Sequence, residues 1–308
     1  MQIFFETPSF KKPTIVALGN FDGVHLGHEK LIKTLVENKD LESVVYTFSK
    51  HPLCELFGDG KVKYINTNTE KAELFEEMGV ENLIFQDFGE VRYLTPEEFV
   101  KTVLVDRLLA KEIVCGFNYK FGKNNTGDVS VLRNLLEAFG VKLTVIDEVM
   151  VNGKTASSSA VRQALSNGNM EEASELMGHP YFLSSKVVHG KALGRKLGFP
   201  TINEKINSSR LVIPFGVYFG RCVIPEEKKE YFAVINVGVR PTVNSTDKTP
   251  SVEAHIIDFD GDLYEKKVRI EFMKKSRDEI KFPTVEELKK QIEKDISNCK
   301  SYFLKGEI

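Results

Sequence analysis

Two histidines three residues apart, His25 and His28, stand among glycines in the string Gly19-Asn20-Phe21-Asp22-Gly23-Val24-His25-Leu26-Gly27-His28. The apolar run Thr14-Ile15-Val16-Ala17-Leu18 precedes it. Leu31, Ile32, Leu35 and Val36 follow it on one face of a helix. The string therefore turns a buried strand into a helix. Such a turn suits phosphate, because free backbone N–H groups and the positive end of the helix dipole point at the ligand. Gly19 and Gly27 let phosphate approach the backbone. Asn20, Phe21 and Asp22 complete the turn. Paired imidazoles can hydrogen-bond one phosphate group from the same side.

A second candidate is Gly194-Arg195-Lys196-Leu197-Gly198-Phe199-Pro200-Thr201-Ile202-Asn203. Its glycines and cations, Gly194, Lys196 and Gly198 among them, suit a nucleoside triphosphate. Thr201 and Asn203 offer hard oxygen ligands of the kind Mg²⁺ prefers. Read alone, the segment is equally a polar loop with a Pro-Thr-x-Asn turn.

The elements that must position these groups differ between the two halves. At 308 residues the chain predicts two domains. In the first half, apolar strands near 15–18, 44–48, 83–85, 113–116 and 143–146 alternate with helical patterns. One helix opens at Thr69, one at Thr95-Pro96 with a capping-box Glu98, and one at Asp128. This rhythm predicts an α/β domain with a parallel sheet covered on both faces. Ligands on such sheets sit beyond the carboxyl ends of the strands, where the histidine turn lies. After about residue 183 the period becomes two. Strands are expected at 185–189, 217–224, 231–237, 251–258 and 267–273. A final helix carries Val285, Leu288, Ile292, Ile296 and Phe303 on one face. The second half therefore predicts a small antiparallel barrel with a C-terminal helix. The expected domains are 1–183 and 184–308, with 169–183 as the link.

Composition narrows the partners. A net charge of −2 and a pI near 6.4 give no basic excess for nucleic acid. No apolar run is long enough for a bilayer. Met1-Gln2-Ile3-Phe4-Phe5 lacks the charged start and long apolar region of a leader. Cys54, Cys115, Cys222 and Cys299 have no metal spacing. The expectation is a cytoplasmic protein.

The first string resembles the G-x-F-D-x-x-H-x-G-H signature of nucleotidylyltransferases. With the remaining motifs, nearly the whole chain resembles the bacterial bifunctional riboflavin kinase/FAD synthetase family. Thr47-Phe48-Ser49-Lys50-His51-Pro52 is similar to the F-x-P-H-P segment, with Ser49 departing from it. Gly116-Phe117-Asn118-Tyr119-Lys120-Phe121-Gly122 resembles G-x-[DN]-[FY]-x-F-G, and Ser157-Ser158-Ser159-Ala160-Val161-Arg162 resembles S-S-T-x-I-R. Gly198–Asn203 is similar to the kinase G-[FY]-P-T-A-N motif, with Ile202 for Ala. Val252-Glu253-Ala254-His255 resembles V-E-x-H, and Arg277-Asp278-Glu279-Ile280-Lys281-Phe282 resembles R-x-E-x-K-F. Ser159 replaces Thr, and Ala160 stands where many members carry Arg.

The resemblance implies a Rossmann-like nucleotidylyltransferase domain followed by a six-stranded antiparallel barrel. It implies two reactions: ATP plus riboflavin to FMN, then ATP plus FMN to FAD and pyrophosphate, with Mg²⁺. It makes Glu253 the general base of the kinase, although periodicity alone makes it an outward-facing surface carboxylate. It expects a raised pKa for that group among apolar neighbours. His25 and His28 would stabilise the transferring adenylyl group. Ser157, Ser158 and Arg162 would take the β- and γ-phosphates, the plain alternative being a helix cap. His51, Pro52, Asn118 and Arg277 are implied flavin contacts; turn residues and a loop cation are the alternatives. Phe117, Tyr119 and Phe121 are either a stacking surface or core. His255 is expected to be structural. Two narrower readings stand beside this one: a kinase alone, with Ala160 marking a weakened first half, and a flavin-binding protein without turnover.

Overall fold

The computed structural model describes residues 1–58, 62–187, 199–206, 209–239 and 250–305. The chain divides into two compact units, Met1–Ala160 and Val161–Ile308.

The first unit is built on six strands: β1 (Gln2–Phe4), β2 (Thr14–Leu18), β3 (Glu42–Phe48), β4 (Asn82–Gln86), β5 (Ala110–Gly116) and β6 (Lys142–Ile146). They lie in the order β1-β4-β3-β2-β5-β6, and every ladder is parallel. Every residue of β2 and β4 is buried, their apolar centres and the polar ends Thr14, Asn82 and Gln86 alike. Strand order reverses at β2, which pairs with β3 on one side and β5 on the other. The crevice beyond its carboxyl end is thus the switch point where open α/β sheets bind ligands. The edge strand β1 was not foreseen; three residues carry no readable period. A two-stranded hairpin, β7 (Met150–Val151) with β8 (Lys154–Thr155), follows β6. The capping box expected at Thr95 and Glu98 is present. The helix expected to open at Thr69 is Asn68–Glu77, capped by Thr67 with Glu70 as its reciprocal partner.

The second unit has one antiparallel sheet of β9 (Tyr181–Lys186), β10 (Thr201–Lys205), β11 (Gly216–Ile224), β12 (Lys229–Val239), β13 (Pro250–Ile256) and β14 (Lys267–Arg277). Their order is β10-β13-β12-β11-β14-β9. The sheet curls: Ser185 of one edge and Ile202 of the other line the same small cavity as Val252, Ala254 and Ile270. Phe219, Cys299, Tyr302 and Phe303 form an outer cluster under the C-terminal helix Val285–Leu304, with Phe232 stacked on Phe303 at 4.3 Å. Only the second half of that helix packs. Val285, expected on the buried face, is 51% exposed.

Two expectations are corrected. The stretch 169–183 is not a linker. It contains the helix Met170–Met177, capped by Asn169 and ended by Gly178 at φ 80°, and the start of β9. That helix packs on β9 and β14, so the units part after Ala160 rather than at 183. Thr201–Asn203 is not a turn but the start of strand β10; Phe199 and Pro200 before it belong to no helix or strand.

Candidate active sites

The histidine turn is a strained piece of backbone held from below. Phe21 (φ 50°) and Val24 (φ 36°) adopt left-handed conformations that β-branched and bulky residues rarely take. Gly23 is at φ 85°, and a Cβ there would meet Ile65 Cδ1 at 2.9 Å. The Asp22 carboxylate is buried and accepts from the backbone N–H groups of Ile65 (3.0 Å) and Asn66 (3.3 Å). The Asn20 carbonyl accepts from Lys71 Nζ (2.9 Å) and Thr47 Oγ1 (3.2 Å). Asp22 thus shapes the turn through its side chain and Asn20 through its carbonyl. Lys71, Thr47 and Asn66 went unforeseen, since Lys71 looks like an ordinary solvent-facing cation in a helix. Both amide atoms of buried Asn66 lack hydrogen-bond partners among the described residues.

His25 is the N-cap of the helix Leu26–Glu37 but makes no side-chain capping bond, so its imidazole does not close off the helix start. The His25 and His28 rings stack with centroids 3.7 Å apart and planes at 28°. A Cβ at Gly27 would come within 3.1 Å of the His25 ring. Nδ1 of each histidine is buried without a hydrogen-bond partner among the described residues. Burial lowers the His25 pKa to about 4. Burial, then the neighbouring His25 and then the Lys71 charge hold His28 well below the usual imidazole range. Both rings are neutral at pH 7, each with one N–H to donate.

A pH effect on stability follows. The unfolded chain protonates His25 near pH 6.5 and the folded chain only near pH 4. Stability is therefore full above 6.5 and falls as pH drops toward 4, by about 2 kcal/mol at pH 5 from this group. Denaturant unfolding of the first unit should show a lower midpoint at pH 5 than at pH 7, and His25→Asn should shrink the difference.

The serine segment meets the histidine turn. Ser158 Oγ donates to the Asp22 carbonyl (2.7 Å), and the Ala156 carbonyl lies 3.5 Å from where a Gly27 Cβ would be. Ser157 Oγ accepts from Ala160 N (3.2 Å), the cap expected as the plain alternative. The helix runs from Ser158 to Ser166, so Arg162 lies inside it.

The parallel topology brings the ends of β2, β3 and β5 to one edge. His51 follows β3 and caps the helix Pro52–Phe57, its Nδ1 accepting from Leu53 N (3.2 Å). The His51 backbone N–H donates to the Tyr64 hydroxyl (3.0 Å). Asn118 follows β5 and is exposed. Of the three aromatics beside it, Phe121 is core and Tyr119 stacks on it at 5.8 Å, while Phe117 is 49% exposed. Only Phe117 offers a free ring face.

In the second unit, register aligns Asn203, Glu253 and Asn236 across β10, β13 and β12, with Thr201 opposite His255. Directly opposed residues share a sheet face. Val252, Ala254 and Ile256 are buried on the other face, while Glu253 and His255 are half-buried. Glu253 therefore stands between two asparagines, not among apolar neighbours as expected. It alternates with Val252 and Ala254 along β13, as periodicity indicates, and is half-buried rather than exposed. His255 Nδ1 lies 2.9 Å from the Pro200 carbonyl and its ring meets Phe199 edge-on, so it braces the two residues that lead into β10. No cluster of three or more His, Cys, Asp or Glu able to hold a metal exists among the described residues. The oxygens of Thr201, Asn203 and Glu253 fit Mg²⁺ that is held mainly by substrate phosphates. Gly194, Lys196 and Gly198, with Lys191 and Arg195, lie outside the described residues.

Arg277 is engaged with the C-terminal helix. Its guanidinium donates to both oxygens of Asp295, with Nη2 to Oδ2 at 2.7 Å, and Asp295 is 2% exposed. Gln291 also donates to Asp295 (2.8 Å). Arg277→Ala should cost about 3 kcal/mol, because it strands a buried carboxylate. The check is the unfolding midpoint of the variant.

A family model for FAD synthetase matches residues 7–160, and one for riboflavin kinase matches residues 177–303. A bifunctional riboflavin kinase/FMN adenylyltransferase of Bacillus subtilis is 37% identical over 296 residues, covering 94% of this chain and 92% of that protein. The chain belongs to the bifunctional riboflavin kinase/FMN adenylyltransferase family. The member from Escherichia coli K12 is 34% identical over 94% of this chain and 92% of its own length. Among solved structures, one named a macrolide-efflux protein, from Streptococcus pneumoniae, superposes with a TM-score of 0.83. It is 29% identical and covers 97% of this chain and 98% of that one. Among the described residues of the present chain, no helix is long and apolar enough to cross a membrane. The enzyme class and paired activities implied by the motifs are those of the family, and its two matched domains fall on the two kinds of sheet.

Proposed function

We propose that the Glu253 face phosphorylates riboflavin and the His25–His28 turn adenylylates the resulting FMN, each reaction having its own site. The observation that supports this best is the separation of the two groups. The stacked neutral imidazoles belong to one compact unit, and the Thr201, Asn203, Glu253 row to the other.

In the first reaction the ribityl 5′-hydroxyl attacks the γ-phosphorus of ATP and ADP leaves. Glu253 accepts the hydroxyl proton. Its flanking amides, Asn203 and Asn236, orient the carboxylate and substrate oxygens. Thr201 and Asn203 would hold Mg²⁺, which neutralises phosphate charge when bound. In the second reaction an FMN phosphate oxygen attacks the α-phosphorus of ATP and pyrophosphate leaves. That oxygen is already anionic near pH 7, so no base is required. The neutral imidazoles donate to the α-phosphoryl oxygens, beside the positive end of the Leu26–Glu37 helix. Ser157 and Ser158 contribute backbone N–H groups to the outer phosphates, since their hydroxyls already serve the protein. His51, Pro52 and Asn118 stand on the flavin side of the same edge. Arg277 acts on flavin indirectly, by bracing the end of β14. Cytoplasmic residence belongs to the same proposal; its support is four cysteines that are all buried and unpaired.

The test is to supply riboflavin with ATP radiolabelled at either end. Label from the γ-phosphate should enter FMN and persist in FAD. Label from the α-phosphate should appear in FAD and never in FMN. Any α-label in FMN, or γ-label absent from both, would refute the assignment.

A further inference from the structure

Lys71 lies on the helix Asn68–Glu77 and is 3% exposed. An ammonium enters a protein interior only where it is paired and hydrogen-bonded. Here Nζ donates to the Asn20 carbonyl at 2.9 Å. That carbonyl opens the strained turn, immediately before Phe21 at φ 50° and four residues before Val24 at φ 36°. Thr47 Oγ1 reaches the same oxygen at 3.2 Å from β3. On the far side of the turn, Asp22 is tied to Ile65 and Asn66, in the segment leading into the Lys71 helix. Strained backbone persists only where its surroundings over-determine it, and these tethers do so. Lys71 also stands close enough to disfavour a second positive charge on His28.

We propose that Lys71 is a positioning residue for adenylyl transfer: its buried ammonium fixes the Asn20 carbonyl, and with it the turn that aims His25 and His28 at the α-phosphoryl group. This rests on the reading of that turn as the adenylyl-transfer site. The ammonium has a second effect. FMN and ATP are both anionic, and a fixed positive charge behind the turn, shielded from water, opposes their repulsion without having to reorganise. Lysine suits the place because its compact ammonium reaches the Asn20 carbonyl as a point charge.

The experiment compares Lys71→Met, Thr47→Val and His28→Ala in the full chain. FAD formation from FMN and ATP is measured as separate kcat and KM values, with thermal unfolding beside it. Misplacing the turn by about an ångström is expected to lower kcat of Lys71→Met about 100-fold, with a much smaller change in KM for ATP. Thr47→Val should lower kcat several-fold in the same pattern. A folded Lys71→Met with wild-type kcat and only a lower melting temperature would overturn the proposal, because a purely structural lysine behaves that way. Should Lys71→Met not fold, Thr47→Val decides: a lowered kcat supports the proposal and an unchanged one overturns it. His28→Ala separates the two levels. If His28→Ala loses activity while Lys71→Met does not, the role of Lys71 falls alone. If His28→Ala keeps wild-type activity, the reading of the turn falls first.

Discussion

Glu253→Gln abolishes FMN formation from riboflavin and leaves FAD formation from supplied FMN intact. The substitution keeps the shape of the side chain and its place between Asn203 and Asn236. It removes the negative charge and, with it, the ability to take a proton. Loss of a positioned general base lowers rate by about 10²- to 10⁴-fold. The effect should fall on kcat, since ATP and riboflavin still meet the same surface. FMN formation by the variant at more than a tenth of the wild-type rate would show that the hydroxyl proton leaves by another route. Loss of FAD formation as well would show that the two sites are not independent.

His28→Ala gives the converse result: FMN accumulates and FAD formation falls by about 10²- to 10³-fold, the range for one lost donor at a developing charge. The ring lies 5.0 Å from Phe21 and 3.7 Å from His25. Truncation therefore leaves a gap beside both, and part of the loss comes from a turn that can relax. His28→Asn, which keeps an N–H donor, separates the contributions: a rate between those of wild type and alanine is expected. Because His28 is already neutral at pH 7, raising the pH from 7 to 8 should change neither variant relative to wild type through this group.

The parallel sheet was legible in the sequence because β2, β3 and β4 are buried on both faces and so carry apolar runs at their centres, as do the later parts of β5 and β6. The histidine turn was legible because its glycines and histidines are dictated by local backbone and local chemistry. What holds that turn was not. Lys71, Thr47 and Asn66 act across the fold, and a buried lysine in an amphipathic helix has the same sequence pattern as an exposed one. The edge strand Gln2–Phe4 is too short to show a period. The helix Met170–Met177 was mistaken for a connection because eight residues give barely two turns. In the second unit, the alternation of Val252, Ala254 and Ile256 showed that Glu253 differs in burial from its neighbours, and it is half-buried between them. Its asparagine neighbours come from strand register, which depends on pairing between distant segments. The proline and threonine in Pro200-Thr201 suggested a turn, but the cross-strand partners of Thr201 and Asn203 make a strand from the next residue onward.

Independence of the two sites is tested most directly by mixing. Glu253→Gln alone, given riboflavin, ATP and Mg²⁺, should form neither FMN nor FAD, and His28→Ala alone should stop at FMN. Combined in one vessel, the two variants should convert riboflavin to FAD, each supplying the step the other lacks. A mixture that accumulates FMN without FAD, or leaves riboflavin unchanged, would contradict the account.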